Sequence, residues 1–420
     1  MIRVTASSAA KPAGSRRLGP LRALPDVRAL RAGVVAAGVA LLTGAAAAQV
    51  GFTQMQLNGL PVTLVYPTDV KATKQTFGAF EIEVAVDAPP APVATSAGRR
   101  RLIVTSHGTA GSPLPDHGLA AALARAGFVV AQPLHSGDNW RDATKAGPEA
   151  WRSRPTEVLQ VIDALAAHPL WGAQLQLDRV GVHGTSAGGV TGLSLAGAQW
   201  STFSLLQHCN AHLEADSGFC LTGAPDAAAQ AKRRAMYERV RGVPVAFLPS
   251  EVTAWQGGRS LATSSVSPAP PASTTPPASA PGDGTPAGRW PQSASAFDPR
   301  PDARIASVSL SVPVAAIFSA ESLARIRVPV GLLTAQADEW LLPAFHSGHV
   351  ARQCRNCTVL ADLPGATHFD VMHPWPGAAA AEVARTQPRG AAANPAFDGR
   401  LRDEAYARVV QFHRQNLGTP

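Results

Sequence analysis

The chain has 420 residues, 45% hydrophobic, 16% charged and 6% aromatic, with 37 Gly beside 36 Pro. That is enough apolar mass for one large core, and it excludes wholesale disorder, a coiled coil, a collagen-like rod and a multi-span membrane protein. The formal net charge of +8 would suit a nucleic-acid partner, but most of it stands before residue 49.

Ahead of that point, seven basic side chains (Arg3, Lys11, Arg16, Arg17, Arg22, Arg28, Arg31) face a single acid, Asp26. The small apolar run Ala32 to Leu42 follows, then Ala46-x-Ala48 before Gln49. A basic segment, a short apolar run and a small-residue site are the parts of a secretory signal, so residues 1–48 are expected to be removed after Ala48. The apolar run is shorter than the ~20 residues of a bilayer span. Arg16-Arg17 forms a twin-Arg pair, but Leu18-Gly19-Pro20 fits that export route poorly. Taking away seven positive charges and one negative brings +8 down to +2. No stripe of Lys and Arg with interleaved aromatics survives in the rest, which argues against nucleic acid; the signal implies an exported protein, periplasmic or extracellular.

From Phe52 onward short apolar runs alternate with amphipathic stretches. In chain order the pattern predicts a strand at Leu60–Tyr66, preceded by a partner from Phe52 that adds an antiparallel edge, then Leu102–Ser106, a helix over Asp116–Ala126 and a strand at Phe128–Gln132. A helix over Pro155–Ala167, a strand at Val180–His183 and a helix over Ala187–Ala198 come next. Beyond them lie strands at Ile305–Leu310 and Val328–Thr334 and helices over Ala344–Arg352 and Leu401–Gln415. Strand and helix in this alternation imply an α/β fold, a mostly parallel central sheet with helices on both faces. Two segments break the rhythm. Residues 199–256, with a charged helix near Ala229–Arg241, have the size of a small cap over the carboxyl ends of the strands. Residues 257–297, rich in Ser, Thr, Ala and Pro, read as a disordered surface insertion. Residues 49–420 are thus expected to be one domain, because the pattern on either side of the insertion is incomplete without the other. No internal repeat is present.

Four cysteines suit an oxidising compartment, with Cys209 pairing Cys220 and Cys354 pairing Cys357. The rival for Cys354-x-x-Cys357 is half a zinc site or a redox dithiol, but no second CxxC or suitably spaced His pair accompanies it. No metal or organic cofactor is expected.

Val180-Gly181-Val182-His183-Gly184-Thr185-Ser186-Ala187-Gly188-Gly189 runs an apolar strand into G-x-S-x-G and then into a small-residue helix. The five letters alone are weak; the strand-to-helix context makes Ser186 a candidate nucleophile on a sharp turn. A serine needs a base oriented by a carboxylate. Asp338 stands beyond the strand Val328–Thr334, with Glu339 and Asp362 as alternatives. His368 stands in a later loop after another short strand, with His346, His349 and His373 as alternatives. A tetrahedral oxyanion needs fixed N–H donors. Ala187, after the nucleophile, supplies one, and the His107-Gly108-Thr109-Ala110-Gly111 turn supplies another from Thr109 or, next, Ala110. His107 reads as a brace of that loop, and His183, inside a buried strand, as structural.

These residues resemble the α/β-hydrolase superfamily, and more narrowly its exported bacterial proteins described as predicted dienelactone hydrolases, similar also to platelet-activating-factor acetylhydrolases. Leu64-Val65-Tyr66-Pro67, Ser106-His107-Gly108, Ala126-Gly127-Phe128-Val129-Val130 and His135-Ser136-Gly137-Asp138-Asn139 carry the likeness. So do Arg154-Pro155 with Asp163-Ala164-Leu165, the Gly184–Gly189 segment, Glu321-Ser322-Leu323 before Val328-Pro329-Val330, and Thr367-His368-Phe369. The resemblance implies Ser186 as nucleophile, His368 as base, Asp338 as acid and Ala187 with Thr109 as oxyanion donors. It has departures: Thr185 stands where the family usually has His, and Ser186 stands where dienelactone hydrolases have cysteine. The acetylhydrolases carry their acid after the preceding strand, where this chain has no Asp before Ser322. The expectation is an esterase acting on a small-molecule ester. A peptidase or amidase on the same residues, or a catalytically silent binding protein of the same fold, stays open.

Overall fold

Runs such as Leu102-Ile103-Val104 and Phe128-Val129-Val130 lack polar alternation because both of their faces are covered. In the computed structural model, which describes residues 48–93, 98–224, 226–239, 302–372, 376–378, 381 and 394–418, each of them becomes a central strand. Residues 1–47 of the expected signal, 240–256 of the cap-like segment, the 257–297 insertion and His373 lie outside the described residues.

The strands are β1 (Gln49–Leu57), β2 (Leu60–Thr68), β3 (Thr73–Phe77), β4 (Phe80–Val86), β5 (Arg100–Ser106), β6 (Val129–Pro133), β7 (Leu175–Thr185), β8 (Ile305–Ser311), β9 (Val330–Ala335) and β10 (Cys357–Leu363). They form one ten-stranded sheet in the order β10-β9-β8-β7-β5-β6-β2-β1-β4-β3. From β10 to β6 every pair is parallel; β2 then runs antiparallel to both β6 and β1. The expected antiparallel pair is therefore present but is not the edge. β4 pairs parallel with β1, and β3 closes that side. The physical basis is the pattern Phe80-Glu81-Ile82-Glu83-Val84, whose two glutamates are exposed and whose three apolar residues are buried, the period of a half-buried strand.

The helices are α1 (His117–Arg125), α2 (Pro148–Ala167), α3 (Trp171–Gln174), α4 (Gly188–Leu195), α5 (Thr202–His212), α6 (Ser217–Cys220), α7 (Ala227–Glu238), α8 (Ala320–Ala324), α9 (Ser347–Gln353) and α10 (Gly399–Leu417). Successive residues of each central strand point to opposite faces, so the core divides in two. Leu64, Val104, Val182, Leu310 and Leu332 meet Trp151, Val158 and Ile162 of α2 and Leu193 of α4. Val65, Ile103, Val130 and Leu333 meet Leu119 and Leu123 of α1 and Val409 of α10 on the other face. The α/β architecture expected from the sequence, a mostly parallel sheet with helices on both faces, is the one observed.

Helix α2 starts at Pro148 rather than at Pro155, which lies inside it. The added first turns bring Ala150, Trp151 and Arg154 into the buried stripe, and that burial outweighs the backbone hydrogen bond that Pro155 lacks. Both expected cysteine pairs are disulfides with Cα atoms 5.4 Å apart: Cys209–Cys220 joins α5 to α6, and Cys354–Cys357 joins the end of α9 to β10. Among the described residues no helix is long and apolar enough to cross a membrane.

Candidate active site

Strand β7 delivers Ser186 at the carboxyl end of the sheet, directly before α4. Ser186 has φ 55°, left-handed backbone that a residue with a Cβ adopts only when its surroundings hold it there. Its N–H donates to the Ser311 carbonyl at 3.0 Å, and its own carbonyl accepts from Gly189 at 2.8 Å and Val314 at 2.9 Å. The turn is therefore tied to the loop after β8. A Cβ on Gly184 would overlap the Gly188 carbonyl, and one on Gly188 would overlap the Ser106 carbonyl of β5. Those two overlaps are why this turn needs glycine at both places.

Asp338 lies in the loop after β9 and His368 in the loop after β10, and both are buried. Their side chains meet: His368 Nδ1 is 2.8 Å from Asp338 Oδ2. The other carboxylate oxygen, Oδ1, accepts the Trp340 and Leu341 N–H groups, both at 2.9 Å. One oxygen thus fixes the loop while the other is left to the imidazole. A carboxylate at Nδ1 places the proton there and leaves Nε2 as the acceptor. Asp362 is engaged elsewhere, by Thr334 and by Gln336 Nε2 at 2.7 Å. His346 and His349 are also committed, to Asp216 and Ala315 and to the Phe318 carbonyl. Among the described residues no hydrogen bond joins Ser186 Oγ to His368. The structure thus brings two of the three expected side chains into contact and holds the third at the same end of the sheet.

The loop after β5 lies against the serine: a Cβ on Gly108 would stand 3.3 Å from Ser186 Cβ and 3.7 Å from its Oγ. His107 is a brace, as expected. Its Nδ1 donates to the Gly108 carbonyl at 2.8 Å and its Nε2 accepts the His135 N–H at 3.2 Å. Burial, with Arg154 and His135 nearby, keeps its imidazole well below the usual range and so neutral. The Ala110 N–H donates to Asp138 Oδ1 at 2.7 Å, which removes it as an alternative to Thr109. The N–H groups of Thr109 and Ala187 have no acceptor among the described residues, and Ala187 is the N-cap residue of α4, where the helix dipole favours negative charge. Sequence reasoning missed the groups behind this loop. Arg154, fully buried, binds the His107 and Gly108 carbonyls and the Asp138 carboxylate. Ser106 Oγ lies 2.8 Å from His135 Nε2, whose Nδ1 is 2.6 Å from Glu157 Oε2.

A chain of buried polar groups runs beneath the turn. Thr185 Oγ1 donates to Asp116 Oδ1 at 2.9 Å, His183 Nε2 is 3.2 Å from Thr185 Oγ1, and Ser309 Oγ lies 2.8 Å from both His183 Nδ1 and His413 Nε2. Burial holds both imidazoles at about 3 and therefore neutral, which keeps His183 structural. Burial also raises the Asp116 carboxyl to about 7, against the smaller opposing effect of the Thr185 hydrogen bond. The unfolded carboxyl releases its proton near pH 4, so between that pH and about 7 the native state binds the extra proton and loses stability as pH rises. Asp116→Asn, which keeps the acceptor for Thr185, is expected to gain in melting temperature over the parent progressively from about pH 4 to about pH 7. Above that the gain should be level. Thermal melts across this range check it; a difference independent of pH would contradict the buried, titrating carboxyl.

A second buried cluster joins the 199–256 segment to the loop of Asp338. Asp216 Oδ2 accepts from His208 Nε2 at 2.8 Å and from His346 Nε2 at 3.0 Å, while the Ala315 N–H donates to His346 Nδ1 at 3.1 Å. Burial pushes the Asp216 carboxyl up, but the hydrogen bonds from the two imidazoles outweigh it and hold it at about 2. Close by, a Cβ on Gly218 would overlap the Glu339 carbonyl, so α6 lies directly on the Asp338–Trp340 backbone. His208, Asp216 and Cys220 have the spacing of metal ligands. The Cys220 sulfur, however, belongs to a disulfide and offers no thiolate, so the donor set does not fit a metal.

No protein-family model matches the chain, and no curated protein sequence matches it. Among solved structures it is similar to a ferulic acid esterase from Streptomyces cinnamoneus, at 14% identity and a TM-score of 0.46, over 89% of this chain and 91% of that one. A likeness of that degree fixes no activity.

Proposed function

We propose that the chain is an exported serine hydrolase of small carboxylic esters, an α/β-hydrolase similar to the dienelactone-hydrolase-like and acetylhydrolase-like exported proteins. The observation that carries this reading is the Asp338–His368 contact of 2.8 Å, which leaves Nε2 free at the end of the sheet where Ser186 is held in left-handed backbone. Ser186 Oγ attacks the acyl carbon as Nε2 takes its proton, once the two have aligned as a hydrogen-bonded pair, which in unliganded sites often forms only with substrate. The Thr109 and Ala187 N–H groups receive the oxyanion. His368 returns the proton to the leaving alcohol, and water repeats the sequence on the acyl-enzyme. The described part of residues 199–256 rests on the acid loop, as a cap would. The two disulfides fit an oxidising compartment, and residues 1–48 act as the export signal.

A fluorophosphonate probe is expected to label Ser186, located by peptide mass spectrometry, and p-nitrophenyl esters to turn over much faster than the matching anilides. Folded protein that takes no label would sink the enzyme reading in favour of a binding protein. Labelled protein that prefers anilides would make it an amidase or peptidase.

A further inference from the structure

Arg154 has no part in the proton transfers, yet it is a fully buried cation on the apolar stripe of α2. Its Nη1 donates to the His107 carbonyl at 2.6 Å; its Nη2 donates to Asp138 Oδ2 at 2.7 Å and lies 3.2 Å and 3.3 Å from the Asp138 and Gly108 carbonyls. Asp138 spends its other oxygen on the Ala110 N–H. The pair therefore grips the backbone on both sides of Thr109 and leaves the Thr109 N–H alone. In a planar trans peptide the carbonyl of residue 108 and the N–H of residue 109 point in opposite directions. The Gly108 oxygen also accepts from His107 Nδ1 at 2.8 Å and from the Gly111 N–H at 3.2 Å; Arg154 adds the pull toward α2 that turns the Thr109 N–H away from it, at a loop whose Gly108 packs on Ser186. A cation on that carbonyl also polarises the peptide and strengthens its N–H as a donor. Stability alone is a poor reason for this arrangement, because buried ion pairs are often replaced by apolar side chains without loss.

We infer that the Arg154–Asp138 pair is the positioning device of the oxyanion site, aiming the Thr109 N–H at the oxygen that becomes negative during acyl transfer; this rests on the serine-hydrolase reading above. Arg154→Lys keeps the charge but loses the fork that reaches several carbonyls. Asp138→Asn keeps an acceptor for Ala110 and removes the charge that anchors the guanidinium. Rates are measured on a p-nitrophenyl ester and divided by the sites titrated in the burst. Arg154→Lys is expected to lower kcat about 10- to 100-fold, and Asp138→Asn somewhat less, the size of a weakened oxyanion donor, with KM nearly unchanged. The inhibition constant of a trifluoromethyl ketone, which presents a tetrahedral oxyanion, should rise by the factor that kcat/KM falls. A purely structural role would lower the titrated fraction and the melting temperature but leave the rate per site and that inhibition constant alone. Either folded variant within twofold of the parent in both quantities overturns the inference, provided Ser186→Ala is inactive. An inactive parent, or an active Ser186→Ala, removes the serine reading instead. If neither variant folds, a structure of the parent's ketone adduct decides. The oxyanion within about 3 Å of the Thr109 nitrogen, with Gly108 still on Arg154, supports the assignment, and an oxyanion away from Thr109 ends it.

Discussion

Ser186→Ala is expected to lower kcat toward a p-nitrophenyl ester by about 10⁵- to 10⁶-fold, the loss seen when a triad nucleophile is removed. The size follows from the chemistry: without Oγ no acyl-enzyme forms, and only orientation and the Thr109 and Ala187 donors are left to act on an attacking water. Stability should change little. Alanine keeps the Cβ of Ser186, so it carries the same cost at φ 55°, and among the described residues Oγ makes no hydrogen bond that would be lost. Burst kinetics beside a thermal melt separate the two effects. Turnover near the parent's in a normally melting variant would remove Ser186 from the mechanism.

Asp338→Asn should cost about 10⁴ in kcat. The asparagine carbonyl can replace Oδ1 in accepting the Trp340 and Leu341 N–H groups, which keeps the loop in place. Its amide then presents hydrogen to His368 Nδ1, where the carboxylate Oδ2 stood at 2.8 Å. That reverses the tautomer: Nδ1 becomes the acceptor and Nε2 carries the proton, so the imidazole cannot take one from Ser186. Aspartate also stabilises the imidazolium formed in the transition state, and asparagine does not. The loss should appear in kcat more than in KM, with unchanged circular dichroism. A fall of less than about tenfold would point to another orienting acid, since losing the aspartate that orients a triad histidine costs about 10⁴.

How much of the fold and the site is legible in the sequence varies with the kind of signal. The central strands are plain because a short apolar run without alternation, bounded by turn residues, fits a strand covered on both faces better than a helix. β4 is equally written in Phe80-Glu81-Ile82-Glu83-Val84 but is short and charged, and its neighbours do not suggest a sheet continuing past β1. Order along the chain raises Asp338 and His368 as candidates, yet nothing in sequence says that two loops following different strands meet at 2.8 Å. Arg154 is readable as a charge among Trp151, Val158, Val161 and Leu165 on one helical stripe. A lone Arg on such a stripe says only that it needs partners, not which backbone carbonyls they are. Thr185, a departure from the resemblance at the end of β7, proves to donate to Asp116, which stands just before α1 and which periodicity cannot assign as its partner.

The place of β8 between β7 and β9 bears on how the chain is made. Translation reaches Thr185 long before Ile305, so a nascent β7 has β5 on one side and bare amide and carbonyl groups on the other, with apolar residues above and below. Such a rim is a template for pairing with other molecules. Holding the polypeptide extended by a chaperone until β8 has been synthesised would suppress aggregation, and premature termination anywhere between those strands should yield insoluble fragments.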